Sequence, residues 1–193
     1  MERGGNFIQH FGDIKEMRGD QIPAVDVVSG GSPCQDLSVA GLRQGLAGER
    51  SGLFREQIRV IKEMRQHDQE VNGHKGKDVK CRWVIWENVP GAMSSNGGKD
   101  FQAVLTEFAR IANPEAPTVP MPKNGKWPKA GCLLGMGADG TEFSVAWRQH
   151  DAQWWGVAQR RKRIAVVGDL GGLRAPEVLF ERQSMCGDPA AGE

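Results

Sequence analysis

Val25-Asp26-Val27-Val28-Ser29-Gly30-Gly31-Ser32-Pro33-Cys34-Gln35-Asp36-Leu37-Ser38 is the stretch on which the reading of this chain turns. A β-branched run that empties into two glycines and a proline has the pattern of a buried parallel strand opening into a functional loop at its carboxyl end. Cys34 stands at the mouth of that loop. Pro33 restricts the backbone before it, and Gln35, Asp36 and Ser38 surround it with polar groups, so the thiol is placed to react rather than to fill a core. Taken alone, a lone cysteine is more often a buried free thiol, and it is two motifs further along that reverse the balance.

Downstream of Cys34, Gly41, Gly45, Gly48 and Gly52 recur among Leu42, Arg43, Leu46 and Arg50. This spacing suits a mobile flap over a ligand, and equally an inert surface loop. Ser51 can cap a helix over residues 52–65, where Leu53, Phe54, Ile58, Val60, Ile61 and Met64 recur at helical spacing. Residues 66–80 read as a polar connector, with His67 and His74 solvated and lacking metal-ligand partners. Arg82-Trp83-Val84-Ile85-Trp86 is a second apolar strand that runs into Glu87-Asn88-Val89-Pro90-Gly91. Asp100 can cap a helix carrying Phe101, Val104, Leu105, Phe108 and Ile111, closed by Asn113-Pro114. Two strand–loop–helix units imply right-handed crossovers and a parallel sheet, with Cys34 and Glu87 on its carboxyl rim.

The remainder is less regular. Residues 114–140 read as an irregular excursion. Gly135-Met136-Gly137-Ala138-Asp139-Gly140 matches the dinucleotide-binding pattern by letter, but Thr141–Trp147 after it looks like a strand, so a hairpin or loop turn is the better reading. Gln159-Arg160-Arg161-Lys162-Arg163 precedes the strand Ile164–Gly168, and strand alternation would point Gln159, Arg161 and Arg163 the same way, toward a cleft. Upstream, Phe7–Phe11 alternates like a short strand ending at Gly12-Asp13-Ile14, where an acid could face a pocket. From Gly171 to Glu193 the chain is rich in Gly and Pro, with only Val178-Leu179-Phe180 as an apolar anchor, and is expected to fray, residues 181–193 reading as a disordered tail.

A chain of 193 residues can bury one full core. Its net charge of +1 excludes a globally basic nucleic-acid binder, but Arg160–Arg163 concentrates cations locally. Cys34, Cys81, Cys132 and Cys186 form no CxxC pair and read as reduced thiols, with no metal site implied. No apolar run is long enough to span a bilayer, so a soluble, cytoplasmic protein is expected.

Three stations in order, Gly31-Ser32-Pro33-Cys34-Gln35 with Ser38, then Glu87-Asn88-Val89, then Gln159-Arg160-Arg161-Lys162-Arg163-Ile164, resemble the C5-cytosine DNA methyltransferase family, most of all its bacterial and prophage members. Arg50–Phe54 resembles the family's helix start, and Gly12-Asp13-Ile14 its contact with the cofactor adenine. The resemblance covers roughly residues 7–180 and implies an α/β, Rossmann-like sheet that uses S-adenosylmethionine and no metal. The implied partner is double-stranded DNA with one cytosine flipped out, as in restriction-modification systems. By the resemblance Cys34, Glu87, Arg161 and Arg163 are catalytic; Asp13, Ile14, Pro33 and Leu53 hold the cofactor; and Gln35, Ser38, Arg43, Asn88 and Gln159 meet the DNA.

The residue types suit that chemistry. C5 of cytosine is a poor nucleophile, so a thiolate must first add at C6. Glu87 would then share a proton with N3, which calls for a carboxyl pKa raised by a closed pocket. Arg163 would grip O2 and lower the thiol pKa, and Arg161 would hold a phosphate or the flap. The base must leave the duplex, with residues 36–50 closing over it. The family's opening Phe-x-Gly-x-Gly-Gly loop, the strand after it, the target-recognition domain and the last helix have no counterpart here. A partial catalytic domain with an incomplete sheet is therefore expected, binding the cofactor poorly unless a complementing chain supplies the rest. A tRNA cytosine methyltransferase or a catalytically dead nucleic-acid-binding fragment are the rival readings; a cysteine hydrolase built on His150 is the least favoured.

Overall fold

In the computed structural model, residues 9–32, 52–156 and 159–180 are described. Five strands form one sheet: β1 Val27–Gly30, β2 Trp83–Asn88, β3 Ala130–Met136, β4 Glu142–Asp151 and β5 Lys162–Asp169, in the spatial order β1-β2-β5-β4-β3. Only β1 and β2 are parallel, and the other three pairings are antiparallel. The all-parallel sheet expected from the sequence is thus a mixed one. The cause is local: the described residues between β4 and β5 hold one 3-10 turn, Ala152–Trp155, and no crossover helix, and without one consecutive paired strands run antiparallel.

Two helices, α1 Gly52–Asn72 and α2 Lys99–Ala112, cover one face. From α1 come Phe54, Ile58, Ile61 and Met64, and from α2 Phe101, Val104, Leu105, Phe108 and Ile111. They bury Val84 and Trp86 of β2, Val145 and Trp147 of β4, and Ile164 and Val166 of β5. Gly168 opens space for Phe108, since a Cβ there would lie 3.1 Å from its ring. The polar connector expected from residue 66 instead continues α1 to Asn72. Asp68 makes this possible: fully buried, it accepts from Asn72 Nδ2 and Lys80 N at 2.8 Å and lies 3.0 Å from His74 Nδ1. Burial pushes its carboxyl up, but these bonds outweigh burial and leave it below the usual range. His74 is therefore engaged rather than merely solvated.

Asp100 lies in the first turn of α2 and accepts from Ser95 Oγ at 2.5 Å, while the cap position belongs to Gly98, whose φ is +87°. The excursion after α2 carries a strand, β3, that the sequence reading left irregular. Gly131 and Gly135 within it make way for the rings of Trp147 and Phe143 across the strand pair. Trp127 ties the preceding loop to the core, donating to Gly98 O at 2.8 Å and packing edge-on against Phe101 and Trp147. The glycine pattern at 135–140 ends β3 and makes the turn into β4, the hairpin expected.

The opposite face is covered in part by α3, Ala175–Leu179, within the stretch expected to fray. Its Ala175 and Leu179 pack on Ala146 and Val167, with Trp83, Ile85, Ala165 and Phe180 half-buried around them. At its edge Arg82 Nε donates to Asp169 Oδ1 at 2.7 Å, and Asp169 also accepts from Gly171 N and Arg174 N. Burial raises the Asp169 carboxyl, but these donors, Arg82 foremost, hold it below the usual carboxylate range.

Residues 9–11 form no strand. The segment after them is bolted to α1: Arg59 donates to Ile14 O at 2.9 Å and pairs with Glu63, whose Oε2 accepts from Gly19 N at 2.8 Å. Gly19 sits so close that any Cβ would enter the backbone of α1 at Val60 and Met64.

Two outcomes follow for stability. A group whose carboxyl pKa is depressed on folding stabilises above its unfolded pKa, so the Asp169 contribution is complete above about pH 4 and fades as pH falls further. Arg82→Ala should cost about 3 kcal/mol by urea denaturation, the low end for breaking a buried pair because Arg82 is itself part-exposed. This loss should shrink in the same acid window. Gly19→Ala should cost on the order of 1–3 kcal/mol by overpacking, with the amide of residue 19 losing hydrogen-exchange protection before the sheet does.

Candidate functional site

Alternation along β2 sends Val84, Trp86 and Asn88 to the helical face and Trp83, Ile85 and Glu87 to the other. Glu87 and Asn88 thus lie inside the strand, where the sequence reading had placed them beyond its end. Along β5 the same alternation puts Arg163, Ala165 and Val167 on the face of Glu87. Glu87 stands opposite Ala165, so Arg163 is its diagonal neighbour. The Arg163 Nε lies 2.7 Å from Glu87 Oε1, with the two side chains 29% and 51% exposed.

The chain leaving β1 passes beside this pair. A Cβ on Gly31 would lie 3.3 Å from Glu87 Oε2 and 3.3 Å from its carbonyl oxygen, so glycine there lets the backbone run close under the carboxylate. Ser32, 9% exposed, is gripped twice from β2. Trp86 Nε1 donates to its hydroxyl at 3.1 Å, and Asn88 Nδ2 to its carbonyl at 2.8 Å. Asn88 Oδ1 in turn accepts from Val89 N at 2.8 Å. The candidates Pro33, Cys34, Gln35, Ser38 and Arg43, with the flap 36–50, lie outside the described residues.

Of the basic run, Arg163 joins the site and the others do not. β5 begins at Lys162, so the alternation expected to align Gln159 and Arg161 with Arg163 stops short of them. Both are exposed, and the Arg161 carbonyl accepts from Ala152 N at 3.1 Å.

On the helical side of the β1 end, a cleft of about 560 Å³ opens between β1, α1 and residues 9–23. Ile14 and Leu53 both line it, with Phe11, Val28, Val60 and Met64. Its size and apolar walls are those of a small-molecule site. Asp13 is exposed outside that lining, its Oδ1 accepting from Lys15 N at 2.9 Å. Among the described residues no three His, Cys, Asp or Glu side chains gather as metal ligands, and no helix is long and apolar enough to cross a membrane.

The double grip on Ser32 was not legible in the sequence. Trp86 alternates with core residues and reads as core; only proximity in space reveals that its indole N–H reaches the loop before Cys34. The only available hint was that a buried indole needs an acceptor.

A search of the curated proteins finds a relative from Escherichia phage P1, named a DNA N-6-adenine-methyltransferase, 33% identical over 90% of this chain and 24% of its own length. The type II methyltransferases M2.BsuMI and M.BsuFI of Bacillus subtilis are 27% and 26% identical over 82% and 83% of this chain, which covers 30% and 29% of theirs. The chain therefore spans about a quarter to a third of the length of these relatives. Among solved structures, a Dnmt2 methyltransferase from S. pombe superposes with a TM-score of 0.40 at 15% identity, over 85% of this chain and 37% of that one. The family model described as C-5 cytosine-specific DNA methylase matches residues 5–112, more than half of the sequence, and the chain belongs to that family.

Proposed function

We propose that this chain transfers a methyl group from S-adenosylmethionine to C5 of a cytosine flipped out of double-stranded DNA, with Cys34 as nucleophile. The observation that carries the reading is the Glu87–Arg163 pair, 2.7 Å apart and part-exposed beside Gly31, three residues before that cysteine. An exposed carboxylate and guanidinium on one rim match the two polar edges of a cytosine, N3 and O2.

The Cys34 thiolate adds to C6, and the electrons of the C5–C6 bond move toward N3, where the Glu87 carboxyl shares a proton. Arg163 donates to O2 and holds the carboxylate of Glu87 in place. When bound, S-adenosylmethionine supplies a methyl group on a sulfonium, the electrophile that C5 attacks. A base then takes the C5 proton and the Cys34–C6 bond breaks, restoring both the aromatic ring and the thiolate. The cleft bounded by Ile14 and Leu53 supports a cofactor site with an apolar wall for the adenine, and Asp13 beside it is the candidate polar contact. Pro33 belongs to the same site by its place in the motif. Gln35, Ser38, Arg43, Asn88 and Gln159 remain the proposed DNA-facing residues, Asn88 acting by holding Ser32. Arg161, exposed at the same end of β5, suits a backbone phosphate.

The free edge of β1 bears on affinity. Among the described residues no strand pairs with it on the side away from β2, and Val27 on it is 49% exposed. The cofactor cleft beside it is open, so a complementing segment, in the same polypeptide or a partner, would complete its wall. Isothermal titration of the chain alone should give a Kd for S-adenosylmethionine weaker than about 1 μM. Tighter binding would show that the described wall suffices.

The name of the phage P1 relative raises a second reading, methylation of adenine N6. That exocyclic amine attacks a methyl donor directly and needs no thiol, so the two chemistries separate at Cys34. Incubated with high S-adenosylmethionine and duplex DNA, the chain should form 5-methylcytosine, and Cys34→Ala should form none. Glu87→Gln should slow transfer about 10²–10⁴-fold while shifting stability by no more than about 1 kcal/mol, since the exposed pair contributes little to folding. N6-methyladenine as product, full activity in Cys34→Ala, or methylation of transfer RNA in preference to DNA would each overturn the proposal.

A further inference from the structure

We infer that Trp86 is a positioning residue for the candidate nucleophile: its indole N–H, through the Ser32 hydroxyl, fixes the backbone two residues before Cys34. The inference rests on the function proposed above and adds a residue that the three sequence motifs do not contain.

As a space-filler, Trp86 is replaceable. It is fully buried at the centre of the helical face and packs edge-on against Phe54 at 5.9 Å, a role any large aromatic could fill. What a purely apolar ring lacks is the donor. A buried indole N–H must find an acceptor, and in the middle of a sheet the neighbouring carbonyls are committed to the strand ladder. The acceptor it finds is Ser32 Oγ at 3.1 Å, in the loop that leaves β1.

The grip has two points. Trp86 and Asn88 share one face of β2, one holding the side chain of Ser32 and the other its carbonyl at 2.8 Å. One bond would leave the residue free to swivel about it; two from a rigid strand do not. The sequence then removes further freedom. Ser32 precedes a proline and is confined to extended ψ, and the Pro33 ring locks the next φ near −65°. From the anchored Ser32 carbonyl to the Cys34 amide, only ψ of Pro33 remains a soft torsion. Loosening Ser32 would therefore loosen the lead-in to Cys34 rather than merely soften the core.

Alkylation by iodoacetamide across a pH series, read cysteine by cysteine by mass spectrometry, tests this without DNA or cofactor. Two internal references are built in: Cys132 is exposed, and Cys81 is fully buried with its thiol pushed up to about 12 by burial. In the wild type, Cys34 should react with a midpoint below that of Cys132. Trp86→Phe and Ser32→Ala should each slow Cys34 at pH 7 by about tenfold, a one-unit rise in the midpoint, with Cys132 unchanged and Cys81 still silent. The double variant should be no slower than either single one, because both remove the same bond. If Cys34 and Cys132 titrate together in the wild type, the activated nucleophile of the proposed function fails and this inference with it. If wild-type Cys34 titrates low and both variants leave it there, the positioning role alone is overturned. Labelling of Cys81 in Ser32→Ala would mean that the bond holds the fold rather than the thiol, which also overturns it.

Discussion

The parallel register of β1 on β2, with Val27 opposite Trp83 and Gly30 opposite Trp86, sets where the chain leaves the sheet. Because side chains alternate along a strand, a slip of one residue would exchange the faces of Val28 and Ser29 and carry Gly31 off the Glu87 carboxylate. The register is held from the helical side. Val28 packs against the core, and Gly30 leaves room for the buried amide of Gln57, which donates to Ile85 O at 3.4 Å. A larger residue at 30 would press on that amide. The glycines that looked in sequence like the start of a loop are thus also part of the packing that aims it.

Two ion pairs on the same face of the sheet illustrate how burial separates structure from chemistry. Arg82–Asp169 has a fully buried carboxylate with additional amide donors, and losing the arginine strands a charge in a low-dielectric surround. Glu87–Arg163 has almost the same separation, yet both members keep access to solvent. Screening makes the second pair nearly neutral for stability, leaving its members free to exchange partners with a ligand. Position along the strands accounts for the difference: Trp83 and Asp169 are opposite one another at the end of the sheet sealed by the turn into α3, whereas Glu87 and Arg163 occupy the end that α3 does not cover.

Much of this was legible in the sequence, and the misses share a cause. The helical spacing of Phe54, Ile58 and Ile61 and the strand of Trp83–Trp86 emerged because each is dictated by local periodicity. β3 did not emerge because its two glycines punctuate it, and their reason lies on another strand, in the rings of Trp147 and Phe143. The last turns of α1 were hidden because Asp68 is polar, and it is buried only because Asn72, His74 and Lys80 close around it. At the site, Glu87 and Arg163 stood out through motif order, and Ile14 and Leu53 fall on one cleft. The bond from Trp86 to Ser32 spans 54 residues and leaves no local trace.

The mixed topology, which the sequence reading took to be parallel, bears directly on why Gly31, Glu87 and Arg163, far apart in the chain, lie side by side. Parallel strands release β1 and β2 toward one rim, which brings Gly31 and Ser32 beside Glu87 and Asn88. A third parallel strand would begin at the opposite rim, and a cation at its start would lie a full strand length away, about 20 Å for six residues. Because β5 runs antiparallel to β2, its first residues fall at the carboxyl end of β2. Arg163, the second residue of β5, therefore reaches Glu87 from the start of its own strand, which is where a short connection from β4 leaves it. The reversal of chain direction is thus what converts a basic run before a strand into a guanidinium beside a carboxylate.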